Sequence, residues 1–302
     1  MPSLDTFDSA EFGQSIIIYG PPRSGKTSLA ATLVQEGYNL IYLDFEKGSQ
    51  TLKACVPQEL KKNINLFRCD DTRERPQAIT TAIKLLSMKP KQICITHGVA
   101  DCGACMLKKD PTLFETLDFS KLTTKDVVVF DTLTQLSESA RNEATKDLTD
   151  FAKIEFKHYD KEGILLSMLL SAIQNASHFH RIVISHEVVV EQPDKSEKIV
   201  PAAGTKNFSK KVGKYFDHIV YTRVHNGKHQ TASSTLFNSK FLTGSRSDLA
   251  METGKVTLAD LLRAKTVKGG TSDSVEVDEK TGEALVTTNA ILSGMAKAKS
   301  TT

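Results

Sequence analysis

The run Gly20-Pro21-Pro22-Arg23-Ser24-Gly25-Lys26-Thr27-Ser28 has the composition and spacing of a loop that wraps the phosphates of a nucleoside triphosphate. Two glycines with four residues between them let the backbone N–H groups from Arg23 to Thr27 turn inward onto phosphate oxygens. Lys26 supplies a point charge to the β- and γ-phosphates, and the Thr27 hydroxyl is suited to Mg²⁺. Ahead of the loop, Ser15-Ile16-Ile17-Ile18-Tyr19 reads as a buried strand. Behind it, Lys26 to about Gln35 reads as a helix whose positive end faces the same anion. A chance glycine turn is the alternative, and it does not account for strand, loop and helix occurring in that order.

Two carboxylates are candidates to complete such a site. Leu43-Asp44-Phe45-Glu46-Lys47-Gly48 follows the second apolar run, which places Glu46 at the carboxyl edge of the sheet as a candidate to polarise an attacking water. A solvated loop acid is the competing reading. Asp126-Val127-Val128-Val129-Phe130-Asp131-Thr132 is an apolar strand ending in a carboxylate, and Asp131 fits the role of holding Mg²⁺ through water.

A third constellation is unrelated to phosphate. Cys94-Ile95-Thr96-His97 and Cys102-Gly103-Ala104-Cys105 form two pairs, each with two residues between its members. Three thiolates and an imidazole make a closed tetrahedral Zn²⁺ site of structural type. It falls in a short polar insertion, about residues 89–117, expected to be too small for a core of its own; reduced unpaired cysteines are the alternative. Cys55 and Cys69 have no partner spacing and are expected as buried thiols.

The elements that must position these residues read as an α/β layout. Ile16 to Tyr19, Leu40 to Asp44, Val127 to Asp131 and Arg181 to Ser185 read as parallel strands, flanked by helices over Pro57 to Lys62, Arg75 to Met88, Leu133 to Lys157 and Lys161 to Ala176. Val188 to Val190 and Ile199-Val200 suggest a hairpin or mobile loop. A second hairpin, His218 to Val224 with Thr231 to Phe237, turns at Asn226-Gly227. With 302 residues and 39% apolar content, one main domain over 1–263 is expected, followed by a poorly ordered polar tail over 264–302. A net charge of +3 neither demands nor excludes nucleic acid as a partner. No apolar run approaches a membrane span and the first residues are polar, so no membrane association and a cytoplasmic location are expected.

A lone acid ending the third strand before Thr132, with the spare acid after the preceding strand, resembles the RecA-type ATPase core. The chain is more closely similar to phage-encoded AAA-type ATP-binding proteins related to the Sak-type single-strand annealing proteins. The resemblance covers about Gln14 to Arg263, on Gly20 to Thr27, Leu43 to Gly48, Val127 to Thr132, Arg181 to His186 and Pro201 to Val224. It implies a P-loop NTPase with a mainly parallel sheet, using ATP and Mg²⁺, and catalytic roles for Lys26, Glu46 and His186, the last as a γ-phosphate sensor. A histidine that merely ends a strand is the other reading of His186. The resemblance also implies that Glu187 to Thr205 stands where a mobile DNA-binding loop belongs, and that Lys206, Lys210 and Lys211 face a neighbouring subunit's nucleotide. Single-stranded DNA, self-association into a ring or filament, and a single-strand-binding protein are the implied partners. Glu187, Glu191, Asp194 and Glu197 dilute any basic patch in that loop. Only about a dozen residues precede the first strand, so the N-terminal domain of full recombinases is not expected here, nor is full strand exchange. Other functions remain open: a phage replication motor or loader, a regulatory ATP switch that never touches DNA, and a small-molecule kinase. The kinase is disfavoured because no arginine-rich lid segment is present.

Overall fold

The computed structural model describes residues 12–149, 152–234, 240–247, 249–251, 255–264, 275–277 and 284–286. In chain order the main elements are β1 (Ser15–Tyr19), α1 (Lys26–Ala31), β2 (Asn39–Asp44), α2 (Gln50–Cys55), β3 (Ile64–Arg68), α3 (Ala78–Leu85), β4 (Lys91–Cys94), α4 (Gly103–Met106), β5 (Phe114–Leu117) and β6 (Asp126–Asp131). There follow α5 (Leu133–Thr145), α6 (Phe156–Asn175), β7 (His180–Ser185), β8 (Glu187–Glu191), β9 (Glu197–Pro201), α7 (Lys206–Ser209), β10 (His218–His225), β11 (Lys228–Ala232), β12 (Gly244–Ser245) and α8 (Leu258–Arg263). Residues 1–266 form one compact unit and 267–302 a second. Within the second, Val275–Val277 pairs antiparallel with Ala284–Val286; the rest of the expected tail lies outside the described residues.

The central sheet runs β11-β10-β1-β7-β6-β2-β3, with β12 on β10. All neighbours from β10 to β3 are parallel, while β11 and β12 are antiparallel to β10. Parallel strands covered on both faces need apolar side chains at every position, which is why the central strands read as unbroken hydrophobic runs. Successive side chains alternate between two cores. Ile17, Ile41, Val128 and Val183 pack with α3, α5 and α6, whereas Ile16, Ile18, Tyr42 and Val129 pack with α1, α2 and α8. The chain is thus an α/β P-loop fold with a mostly parallel sheet and antiparallel hairpin strands at one edge.

Several boundaries differ from the sequence reading for local reasons. β3 differs from the sequence reading, because this edge strand has no fully buried position and carries no continuous apolar run. The helix expected over Pro57 to Lys62 is a 3₁₀ segment, Gln58–Asn63. The helix expected to run from Leu133 to Lys157 ends at Thr145, and α6 begins at Phe156 rather than Lys161. A reciprocal capping box between Glu155 and His158 sets that start. The Arg75 to Met88 helix is shorter, since the Asp71 carboxylate caps its first turn by accepting from the N–H groups of Gln77 (2.6 Å) and Ala78 (2.8 Å). Asn226 and Gly227, with φ of 50° and 71°, close their turn in two residues, so the returning strand starts at Lys228, not Thr231. Residues 235–237 of that expected strand lie outside the described residues. The segment left open as hairpin or loop is the hairpin β8–β9. Among the described residues no helix is long and apolar enough to cross a membrane.

Two histidines are buried in the frame itself. His180 Nδ1 accepts from the Gln14 N–H (2.9 Å), and His218 Nδ1 pairs with the Ser245 hydroxyl (2.8 Å). Burial pulls both down to about 4. As pH falls the unfolded chain takes up these protons first, so the stability from burying neutral imidazoles is complete above about 6.5 and is lost between about 6.5 and 4. Each site contributes on the order of 3 kcal/mol through this linkage. Urea midpoints measured from pH 7 to pH 4.5 should fall steeply. Replacing both histidines by Asn, which keeps an acceptor near the Nδ1 position, should flatten that fall, and an unchanged slope would assign it elsewhere.

Candidate active site

The phosphate loop is shaped by the hairpin beside β1. Gly25 has φ of 91°, a left-handed value that disfavours any side chain, and a Cβ there would meet His229 Nδ1 at 2.9 Å. His229 comes from β11 and its Nδ1 lies 3.1 Å from the Ser24 carbonyl, while the Ser24 hydroxyl pairs with Thr222 Oγ1 of β10 at 2.7 Å. The β10–β11 hairpin therefore holds the loop, a role the sequence did not suggest. The Lys26 ammonium donates to the carbonyls of Gly20 (3.0 Å) and Pro21 (2.7 Å). Burial lowers the Lys26 pKa, against the opposing fields of Asp131, Glu46 and Glu187. Pro22, Arg23 and Ser28 line the same cleft of about 530 Å³.

The carboxylates gather on the opposite wall. Asp131, at the end of β6, accepts from the Thr27 hydroxyl (3.1 Å) and from the Tyr42 hydroxyl. Burial pushes Asp131 up to about 6, with Glu46 and Asp44 adding to the rise and the Tyr42 and Thr27 bonds opposing it. Asp44 binds the N–H groups of Gly48 and Ser49, both at 3.0 Å, and so folds the loop that carries Glu46. Glu46 Oε1 lies 3.0 Å from His186 Nε2. That hydrogen bond is the main reason the Glu46 pKa is lowered, with burial opposing it. His186 follows β7 directly, and its own N–H donates to the Thr134 hydroxyl at 3.1 Å. The structure thus brings Lys26, Thr27, Glu46, Asp131 and His186 to one cleft at the carboxyl ends of β1, β2, β6 and β7, where open α/β sheets bind ligands. Such an arrangement can seat a triphosphate on the loop, a divalent cation between Thr27 and Asp131, and a water beside Glu46.

The lysines named with the implied DNA loop lie elsewhere. Lys206, Lys210 and Lys211 follow the Thr205 cap of α7, and the Lys210 ammonium donates to the Glu191 carbonyl at 2.5 Å. β8–β9 is an ordered ladder, tied to the sheet by the Tyr221 hydroxyl, which donates to Glu187 at 3.0 Å, and by the Tyr19 hydroxyl, which donates to the Ile199 carbonyl at 3.1 Å.

The second constellation also assembles. Cys94, His97, Cys102 and Cys105 place their ligand atoms within 4.8 Å of one another. His97 Nδ1 is 3.5, 3.6 and 3.3 Å from the sulfurs of Cys94, Cys102 and Cys105. A tetrahedral Zn²⁺ with Zn–S of about 2.3 Å and Zn–N of about 2.05 Å requires nitrogen and sulfur ligands about 3.6 Å apart, so the residues present fit that ion. The insertion is not the coreless knob expected. Ile93, Cys94, Val99, Ala100, Cys102 and Cys105 join the buried cluster of α3 and α5, because the β4–β5 hairpin packs on the domain. Cys69 is buried as expected, whereas Cys55 is only half-buried at the end of α2.

A family model described as AAA domain matches residues 13–247. No curated protein matches. Among solved structures, a prototypical ATPase from the type III secretion system of pathogenic bacteria is 14% identical with a TM-score of 0.40, covering 70% of this chain and 52% of that one. The assembled ATPase EscN, solved with its central stalk EscO from enteropathogenic E. coli, is 13% identical with a TM-score of 0.39, covering 69% of this chain and 42% of that one. The chain spans about half the length of these structures.

The Glu46–His186 contact generates a prediction for pH dependence. Because the His186 bond holds the Glu46 pKa down, His186→Ala should let it rise, moving the acidic limb of a kcat/KM profile for ATP hydrolysis to higher pH. A limb that stays in place would show that Glu46 does not govern it.

Proposed function

Since the chain belongs to the AAA domain family, we propose that it is an ATPase and a phage-type recombination protein with a RecA-like core, coupling ATP turnover to its grip on single-stranded DNA. The observation that carries this reading is the contact between Glu46 and His186, because the residue after His186 opens the β8–β9 hairpin. A γ-phosphate beside Glu46 would be felt at His186 and passed to a hairpin whose turn carries Lys195 and whose returning strand carries Lys198.

In this reading the backbone of Gly20 to Thr27 and the Lys26 charge hold the β- and γ-phosphates. Thr27 and Asp131 would hold Mg²⁺, which when bound would neutralise charge on the phosphate oxygens. Glu46 takes a proton from the attacking water as its oxygen bonds to the γ-phosphorus and the bond to the β–γ bridging oxygen breaks, releasing ADP and phosphate. Cys94, His97, Cys102 and Cys105 would hold Zn²⁺ as a structural ion. The protein works in the cytoplasm as a ring or filament, in annealing or recombinase-like steps, alone or with a single-strand-binding protein. A second reading, an ATP switch or replication motor that never grips DNA through this hairpin, is favoured by Glu187, Glu191, Asp194 and Glu197 on the same element.

Lys26→Ala should abolish nucleotide binding, whereas Glu46→Gln should bind ATP yet turn it over about 100-fold more slowly or worse. Single-stranded DNA should raise the ATPase rate and bind more tightly with a non-hydrolysable analogue, with affinity falling steeply in salt. Lys195→Glu with Lys198→Glu should weaken DNA binding and leave DNA-free turnover nearly unchanged. Nucleotide-competent protein that ignores single-stranded DNA at low salt would select the second reading.

A further inference from the structure

The Cys/His cluster is joined to the candidate hydrolysis loop by a short, unbroken run of backbone contacts. The His97 carbonyl accepts from the Asp70 N–H at 2.7 Å, and the adjacent Cys69 N–H donates to the Asp44 carbonyl at 3.0 Å. Gly98, directly after the ligand His97, has φ of 63° and lies so close to β3 that a Cβ would meet the Arg68 carbonyl at 1.9 Å. From the same segment Arg68 Nε donates to the Ser49 hydroxyl at 2.7 Å and lies 3.8 Å from the Asp44 carboxylate. Asp44 and Ser49 bracket the loop that carries Glu46 and Gly48. Two residues, Cys69 and Asp70, therefore separate the proposed zinc knuckle from the hinge of that loop.

We propose that the ion bound by Cys94, His97, Cys102 and Cys105 pins the end of β3 and, through Arg68 and Asp44, holds Glu46 where it meets the attacking water, so that metal occupancy governs hydrolysis more than ATP binding. This rests on the reading of the cluster as a Zn²⁺ site. Val99, Ala100, Cys102 and Cys105 are buried against the domain, whereas Ile95, Met106 and Leu107 at the rim of the knuckle are exposed. Four bonds to one ion would add to that packing and fix the turn at His97 and Gly98 against the end of β3. The phosphate loop lies on β1, three strands away from β2 along the sheet, and is held by Thr222 and His229 from the opposite edge. Losing the ion frees the Glu46 loop while leaving the triphosphate seat in place. Arg68 acts here as a positioning residue.

The test uses the full chain purified without chelator. Metal analysis should find about one Zn²⁺ per chain. Removing it with a thiol-competing chelator, then assaying with excess Mg²⁺, should lower kcat about 10-fold or more, because small displacements of a positioned base are costly. Affinity for a fluorescent ATP analogue should stay within about 3-fold, and ZnCl₂ should restore turnover. Arg68→Ala should keep the zinc and reproduce the kcat loss without the affinity loss, and Arg68→Lys, with its single ammonium, should recover part of it. Zinc present with kcat unaffected by its removal leaves the cluster a metal site and overturns the coupling; no zinc overturns both. If metal removal unfolds the chain, Arg68→Ala alone decides, and an unchanged kcat in that variant overturns the proposal.

Discussion

The carboxylate of Asp131 lies at the end of a central strand almost out of reach of water, and a buried charge of that kind is costly unless it is bonded or neutralised. Two hydroxyls meet it, Thr27 from the first turn of α1 and Tyr42 from the neighbouring strand, and these join loop, helix and sheet at one atom group. They do not discharge it: burial and the nearby acids still hold it up at about 6. The arrangement makes sense as half of an electrostatic pair. A divalent cation set between Asp131 and Thr27 would supply the missing positive charge, which lets one cleft accept both a triphosphate and the carboxylates of Asp131 and Glu46. Sheet order serves that requirement, since β1, β7, β6 and β2 lie side by side with their carboxyl ends together.

What could be read from the sequence was whatever is written in consecutive residues. Gly20 to Thr27 announces its geometry because every group that shapes the turn lies within it. Asp131 and Glu46 could be placed because each follows an apolar run that can only be an interior strand. The Cys94 to Cys105 set was visible for the same reason. Tyr42, Thr222 and His229 were not, because each acts on a residue tens to hundreds of positions away, and Thr222 and His229 reach the loop only once β10 lies beside β1. Tyr42 sits in an apolar strand where a tyrosine reads as core, and nothing local says that its hydroxyl meets Asp131.

The misplaced boundaries share a cause. Periodicity is blind to where a helix stops if polar and apolar residues keep a helical rhythm across the break, as they do between Thr145 and Phe156. There the restart of the helix at Phe156 is set by the Glu155–His158 box, which periodicity does not register. β3 illustrates the opposite difficulty. Leu66 is partly exposed and Asn65 polar, so the strand has neither a buried run nor a clean alternation, and it is specified by pairing with β2 instead.

That edge position gives β3 its consequence for the site. An edge strand held on one side is free to shift its end, and the end of β3 is where Arg68 reaches the Asp44 turn. The chain covers this edge with the insertion. Gly98 seats against the Arg68 carbonyl, the His97 carbonyl takes the Asp70 N–H, and the Asp71 carboxylate, binding the start of α3 and the Ser139 hydroxyl of α5, fixes the other side. Two glycines with positive φ thus do opposite work in one molecule. Gly25 turns backbone N–H groups toward a candidate phosphate site, and Gly98 brings the Cys/His knuckle into backbone contact with the strand that supports the candidate base. The Cys/His cluster thus lies against the edge strand whose end carries Arg68, at the opposite edge of the sheet from the hairpin that holds the phosphate loop.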